Sequence, residues 1–187
     1  MDKFTGLPRG RAHKLGRLKR VVNEDDDVIS VILEDHRLLK ELLRVMRDTN
    51  RSLGERSLAC AEFTPLLLLH SRAEEQSLYE FMKVVESLRI YAFDGDSQHE
   101  LADQLCEEIR RCVDNDKLGA KIKLLADIVL RHLEEEEDKI LPEVERQINE
   151  KILIQMTKRY VEIQSEIITQ GLDDSIIDCD PADNIKH

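Results

Sequence analysis

Residues 66–82 read LLLLHSRAEEQSLYEFM. Here a histidine and a glutamate, one helical turn apart, interrupt what would otherwise be an apolar stripe. That stripe runs Phe63, Leu67, His70, Glu74, Ser77, Phe81, Val84, Leu88, in the alternating steps of three and four that mark one face of a helix. Residues at i and i+4 lie one above the other on that face. His70 and Glu74 therefore project into the interior if the helix packs through this stripe.

Working outward, three more segments repeat the arrangement. Upstream, Ile29, Ile32, His36, Leu39, Leu43 and Met46 form a helical face with one histidine. The chain breaks at residues 50–54 before the second pattern, and Thr64 followed by Pro65 predicts a start or a kink there. Downstream, Asp94, Gly95 and Asp96 predict a turn, with Ser97 and Glu100 forming a capping box that opens a third helix. Its stripe is His99, Ala102, Cys106, Ile109, Val113. After Asp114, Asn115 and Asp116 comes a fourth: Leu118, Ile122, Leu125, Val129, His132, Glu136, Ile140, which Pro142 is expected to end or kink. A fifth amphipathic segment over residues 150–168 carries Leu153, Met156, Tyr160, Ile163 and Ile167.

Four long helices with short links pack most simply as an all-α, antiparallel up-and-down four-helix bundle. The fifth helix covers one end or side, or forms a dimer contact. The chain divides into a basic N-terminal arm (1–26), the bundle (27–148), a C-terminal helix (149–170) and an acidic tail (171–187) expected to be disordered.

Composition agrees with this division. Aromatics are only 4% and charged residues 36%, which favours helix over strand. A net charge of -11 argues against wrapping nucleic acid with the whole surface. Lys3, Arg9, Arg11, Lys14, Arg17, Lys19 and Arg20 make the arm basic, and it reads as a solvated tail or one docked on the acidic bundle, with a nucleic-acid or membrane-surface role as the alternative. A protein partner would meet that arm or the C-terminal helix, in a monomer or homodimer. The longest apolar run, residues 66–69, is too short to cross a bilayer. No stretch resembles a signal peptide, and Cys60, Cys106, Cys112 and Cys179 lack any CxxC spacing. Both features suggest reduced thiols in a cytoplasmic protein.

The chemistry lies in what interrupts the stripes. Each of the four helices carries one histidine on its apolar face, His36, His70, His99 and His132, and two add a carboxylate one turn on, Glu74 and Glu136. Ionised carboxylates buried without partners cost several kcal/mol each. Metal cations remove that penalty by supplying charge for the carboxylates and an acceptor for each imidazole lone pair. Four nitrogens and two carboxylates suit a two-metal centre, with two histidines on each metal, Glu74 and Glu136 bridging, and room for an oxo, hydroxo or dioxygen ligand. Nitrogen-rich sites lean toward iron or zinc over magnesium or calcium. Glu75 is the one substitute ligand. Glu134, Glu135, Glu137 and Asp138 read as a solvated face, and His13 and His187 as incidental; Tyr79, nine residues after His70, reads as bundle filling, with a place near the centre as the alternative.

These motifs resemble the hemerythrin-like (HHE cation-binding) family. His36, then His70-x-x-x-Glu74, then His99, then His132-x-x-x-Glu136 matches its ligand signature, and EDHRLLKELL (34–43) and RHLEEEEDKILPEV (131–144) resemble its helices. The resemblance covers about residues 27–148. It implies two Fe ions with carboxylate bridges and an oxo or hydroxo bridge, zinc or manganese being substitutes. Classical oxygen-carrying hemerythrins have a further histidine one turn after the third-helix ligand, where this chain has Asp103. That departure weighs against simple oxygen carriage and toward relatives that sense iron or respond to O2, peroxide or NO. The ferritin-like Glu-x-x-His motif is absent, because Leu33, Leu67, Asp96 and Val129 occupy the positions three before each histidine. The expected function is therefore binding or sensing of O2, NO, peroxide or iron without catalysis. The alternatives are a di-iron enzyme acting on peroxide or NO, and an interaction module with a structural metal.

Overall fold

The computed structural model describes Asn23 and residues 26–170; the rest of the basic arm, the acidic tail, His13, His187 and Cys179 lie outside the described residues. The described residues form an all-α helical bundle with no strand among them. Helix α1 is Val28–Arg47, α2 is Leu53–Glu74, α3 is Arg89–Arg110, α4 is Asn115–Glu135 and α5 is Glu150–Gln170. Two of these continue past their α-helical ends through a single π-helical turn. Glu75–Tyr79 follows α2 and leads into Glu80–Met82, and Glu136–Ile140 follows α4 and leads into Leu141–Gln147.

Local chemistry accounts for the starts. The Asp27 carboxylate caps α1 by accepting from Ser30 N at 2.8 Å. Ser52 and Glu55 close a reciprocal capping box that opens α2, with Ser52 N donating to Glu55 at 3.0 Å. Asp114 accepts from Lys117 N at 3.0 Å and starts α4. Pro65 therefore neither starts nor breaks α2, which runs through it. Pro142 likewise does not end its helix. The widened turn before it shifts the carbonyls its ring would strike, and it takes up the first turn of Leu141–Gln147.

The third helix corrects the reading of residues 94–96. No turn occurs there. The link is at residues 83–88, α3 starts at Arg89, and Ser97 sits mid-helix with its hydroxyl on the Phe93 carbonyl at 2.8 Å. Gly95 serves close approach rather than reversal, since a Cβ there would lie 2.6 Å from the Tyr79 ring. Gly95→Ala is expected to cost about 1–3 kcal/mol through overpacking. A lowered thermal midpoint would show it, and an unchanged midpoint would contradict it.

Contacts between neighbouring helices run in opposite senses. His36 meets Glu137 while Arg47, eleven residues later, meets Asp127 on α4. Gln98 meets His132 while Glu108 meets Lys121. Two apolar clusters form the core. One gathers Leu39, Leu43, Phe63, Leu67, Ile109, Ile122 and Leu125; the other gathers Val28, Ile32, Leu78, Met82, Leu88, Val144 and Tyr160. The histidines and glutamates fall between them along α1 to α4 and the π turns that extend α2 and α4, so the bundle holds a polar layer sandwiched between two apolar ones. Helix α5 packs its apolar face against α1, α2 and the π turn after α2, using the stripe that a dimer contact would need.

Candidate metal centre

The polar layer assembles the six side chains that interrupt the stripes. His36, Glu74 and Glu136 are 0% exposed, and His70, His99 and His132 are buried beside them. All four imidazoles turn Nε2 inward. His70 Nε2 lies 3.2 Å and His99 Nε2 3.7 Å from Glu74 Oε2, while His36 Nε2 and His132 Nε2 lie 3.3 and 3.4 Å from Glu136 Oε2. The Nε2 atoms of His99 and His132 are 3.0 Å apart. Donors about 2.1 Å from a shared metal ion and at right angles to each other are about 3 Å apart, so these spacings suit coordination. Two overlapping groups could hold an ion, His70, Glu74, His99 and His132, and His36, His70, Glu74 and Glu136.

A second feature supports the same chemistry. His36 Nε2, His70 Nε2, both Glu74 oxygens and Glu136 Oε2 are buried and make no hydrogen bond. Unpartnered buried polar atoms are costly and rare in native cores. A cation among them would satisfy all five.

Each outward nitrogen is held in place. His36 Nδ1 meets Glu137 at 3.0 Å, His70 Nδ1 meets the Tyr160 hydroxyl at 3.2 Å, His99 Nδ1 meets Glu75 at 3.1 Å and His132 Nδ1 meets Gln98 Oε1 at 3.0 Å. Such partners put the proton on Nδ1 and leave the Nε2 lone pair free, which is how metal-binding histidines are oriented. Glu137 is therefore not part of a solvated face, since it joins His36 to Lys40. Glu75, the expected substitute ligand, sits on the outer nitrogen of His99 and is gripped there by Arg72 at 2.8 Å. The same Arg72 pairs with Asp103, and that carboxylate is in neither group able to hold an ion.

Tyr79 overturns its reading as filling. Its hydroxyl donates to Glu136 Oε1 at 2.5 Å, and its ring stacks on His99 with centroids 5.5 Å apart. It is five residues after Glu74, at the end of the π turn, and that wider turn brings it toward the layer. The odd spacing was its only trace in the sequence.

Electrostatics without metal are uneven. Burial, with help from the charges of its imidazole neighbours, pushes His70 well below its ordinary pKa, and burial lowers His132 to about 4. Burial and the nearby Glu136 charge raise Glu74 well above the usual carboxylate range. Burial would also raise Glu136, but His132, His36 and His70 outweigh it and hold Glu136 below that range. The opposed shifts follow from their neighbours: three imidazoles lower Glu136, whereas burial and the charges of Glu136, Asp35 and Glu75 all raise Glu74. In the metal-free protein the pair thus keeps a proton on Glu74. Burial and the two carboxylates raise the Tyr79 phenol, which stays neutral.

Among the described residues no helix is long and apolar enough to cross a membrane. The sequence profile of the hemerythrin HHE cation binding domain matches residues 27–144. No curated protein and no solved structure matches the chain.

Proposed function

Because the chain belongs to the hemerythrin HHE cation-binding family, we propose that it is a non-haem di-iron protein that binds or senses O2, NO, peroxide or iron. The observation that carries this reading is the set of five buried, unpartnered donor atoms ringed by four Nδ1-anchored imidazoles. In this reading His36, His70, His99, His132, Glu74 and Glu136 would hold the iron pair. When bound, the iron pair supplies reversible one-electron chemistry and open positions for a small ligand. The protein's own residues do the rest. The two apolar clusters keep bulk water from the layer, and the outer hydrogen bonds fix each imidazole tautomer. With Asp103 held by Arg72, the third helix offers one histidine, which favours small-ligand sensing over oxygen carriage.

A second reading, an enzyme acting on peroxide or NO, draws on one observation. Tyr79 holds a proton on its hydroxyl inside the layer, against Glu136, where it could be passed to a bound ligand.

Metal content and absorption spectra test the first reading. About two irons per chain are expected, with near-ultraviolet bands that bleach on reduction and return in air. His70→Ala and His132→Ala should each lose those bands. One zinc per chain, or a stable fold with no metal uptake, would overturn the di-iron assignment.

A further inference from the structure

Three of the four outer histidine partners, Glu137, Glu75 and Gln98, lie within the residues the family profile matches. The fourth does not. His70 is held by Tyr160 of α5, a helix that begins at Glu150, beyond the matched residues. Tyr160 is 0% exposed, and its hydroxyl lies 3.2 Å from His70 Nδ1 and 2.7 Å from Asp35 Oδ2. Gln164, one turn on, donates to the same Asp35 oxygen at 3.0 Å.

The direction of these bonds is set by their chemistry. A phenol has one proton, and a carboxylate can only accept. Tyr160 therefore donates to Asp35 and accepts from His70 Nδ1–H. That fixes His70 in the tautomer whose Nε2 lone pair faces Glu74 at 3.2 Å. His70 is also the one histidine common to both groups able to hold an ion. Its orientation bears on the whole layer.

We propose that Asp35, Tyr160 and His70 form a positioning relay through which α5 sets the metal affinity of the bundle and through which metal loading clamps α5 in place. The relay rests on the metal reading above. Coupling of this kind is reciprocal: if docked α5 favours metal, bound metal favours docked α5 by the same factor. Thr157 adds a second tie, donating from its hydroxyl to the Asp26 carbonyl at 2.8 Å at the entrance to α1. Docking of α5 is thereby linked to both ends of the segment that carries Asp35 and His36.

The test uses the full chain with ferrous iron under anaerobic conditions, against a competing chelator. Tyr160→Phe keeps the buried ring and removes only the hydroxyl. It is expected to lower iron affinity about 10- to 100-fold, the usual effect of losing the outer partner of a metal-binding histidine. Asp35→Ala should act in the same direction, and the double variant should be no weaker than the weaker single, as members of one network behave. Amide exchange gives a reading that simple core filling would not move. Iron should slow exchange over residues 150–170 in the parent chain, and in Tyr160→Phe that slowing should vanish while α1 to α4 remain protected. Tyr160→Phe binding iron within twofold of the parent, additive losses in the double variant, or undiminished protection of α5 would each overturn the relay alone. A parent chain that takes up no iron would overturn the metal reading and the relay with it.

Discussion

Replacing Glu74 with methionine is expected to stabilise the metal-free protein and to abolish its response to iron. Both Glu74 oxygens are buried without a hydrogen bond, so the substitution breaks none and removes a carboxyl that burial disfavours. Apolar replacement of buried ionisable groups is commonly neutral or stabilising by about 1–4 kcal/mol. At this chain length each kcal/mol raises the thermal midpoint by roughly 2–4 °C. The parent chain should gain about 4 kcal/mol from iron at a thousand times its dissociation constant, and the variant should gain nothing. Thermal unfolding with chelator and with ferrous iron reads both effects. Glu136→Met should differ in sign without metal, because it strands the buried Tyr79 hydroxyl at a cost of about 1–3 kcal/mol. A metal-free Glu74→Met protein less stable than the parent would show that Glu74 has a protein partner.

Acid should destabilise the metal-free protein, beginning well above the carboxylate range. His70 and His132 have folded pKa values below the unfolded 6.5, His132 near 4. Between those values the unfolded chain binds a proton at each histidine that the folded chain refuses, so stability falls as pH falls. Glu74 acts oppositely, because above 4.5 the folded chain keeps a proton there that the unfolded chain has lost. Two imidazoles against one carboxyl leave a net of one proton. The resulting slope is at most about 1.4 kcal/mol per pH unit, reached near pH 5, and integrates to roughly 2 kcal/mol over two units. In Glu74→Met the counterweight is gone and the slope should double. Urea midpoints across pH 4.5–6.5 in chelator measure both, and a flat profile would mean that the folded imidazoles take up protons freely.

Much of the layer was legible before any coordinates. His70 and Glu74, and His132 and Glu136, announce themselves by an i, i+4 spacing that must share a face on any helix. The fifth helix was legible as a helix, though not as a part of the site. The outer partners were not legible. Glu137 stands in a run of four glutamates, and only the rotation of α4 against α1 decides that it, and not Glu134 or Glu135, reaches His36. Gln98 and Tyr160 reach histidines on other helices, across sequence separations of 34 and 90 residues that no local pattern encodes. Gly95 misled because glycine between two aspartates reads as a turn, whereas here it makes room for the Tyr79 ring.

What the sequence by itself determined is whatever the helical period controls: which face of each helix is buried, that one histidine stands on each, and that two carboxylates follow a turn later. Periodicity is a property of a single helix and survives any packing. Tertiary structure alone decided what depends on helices meeting. It set the depth of the layer between two apolar clusters, the partner of each Nδ1, the capture of Asp103 by Arg72, and the widened turns that carry Tyr79 to Glu136. These follow from the rotation and register of one helix against another, which summed side-chain packing selects and no single segment specifies.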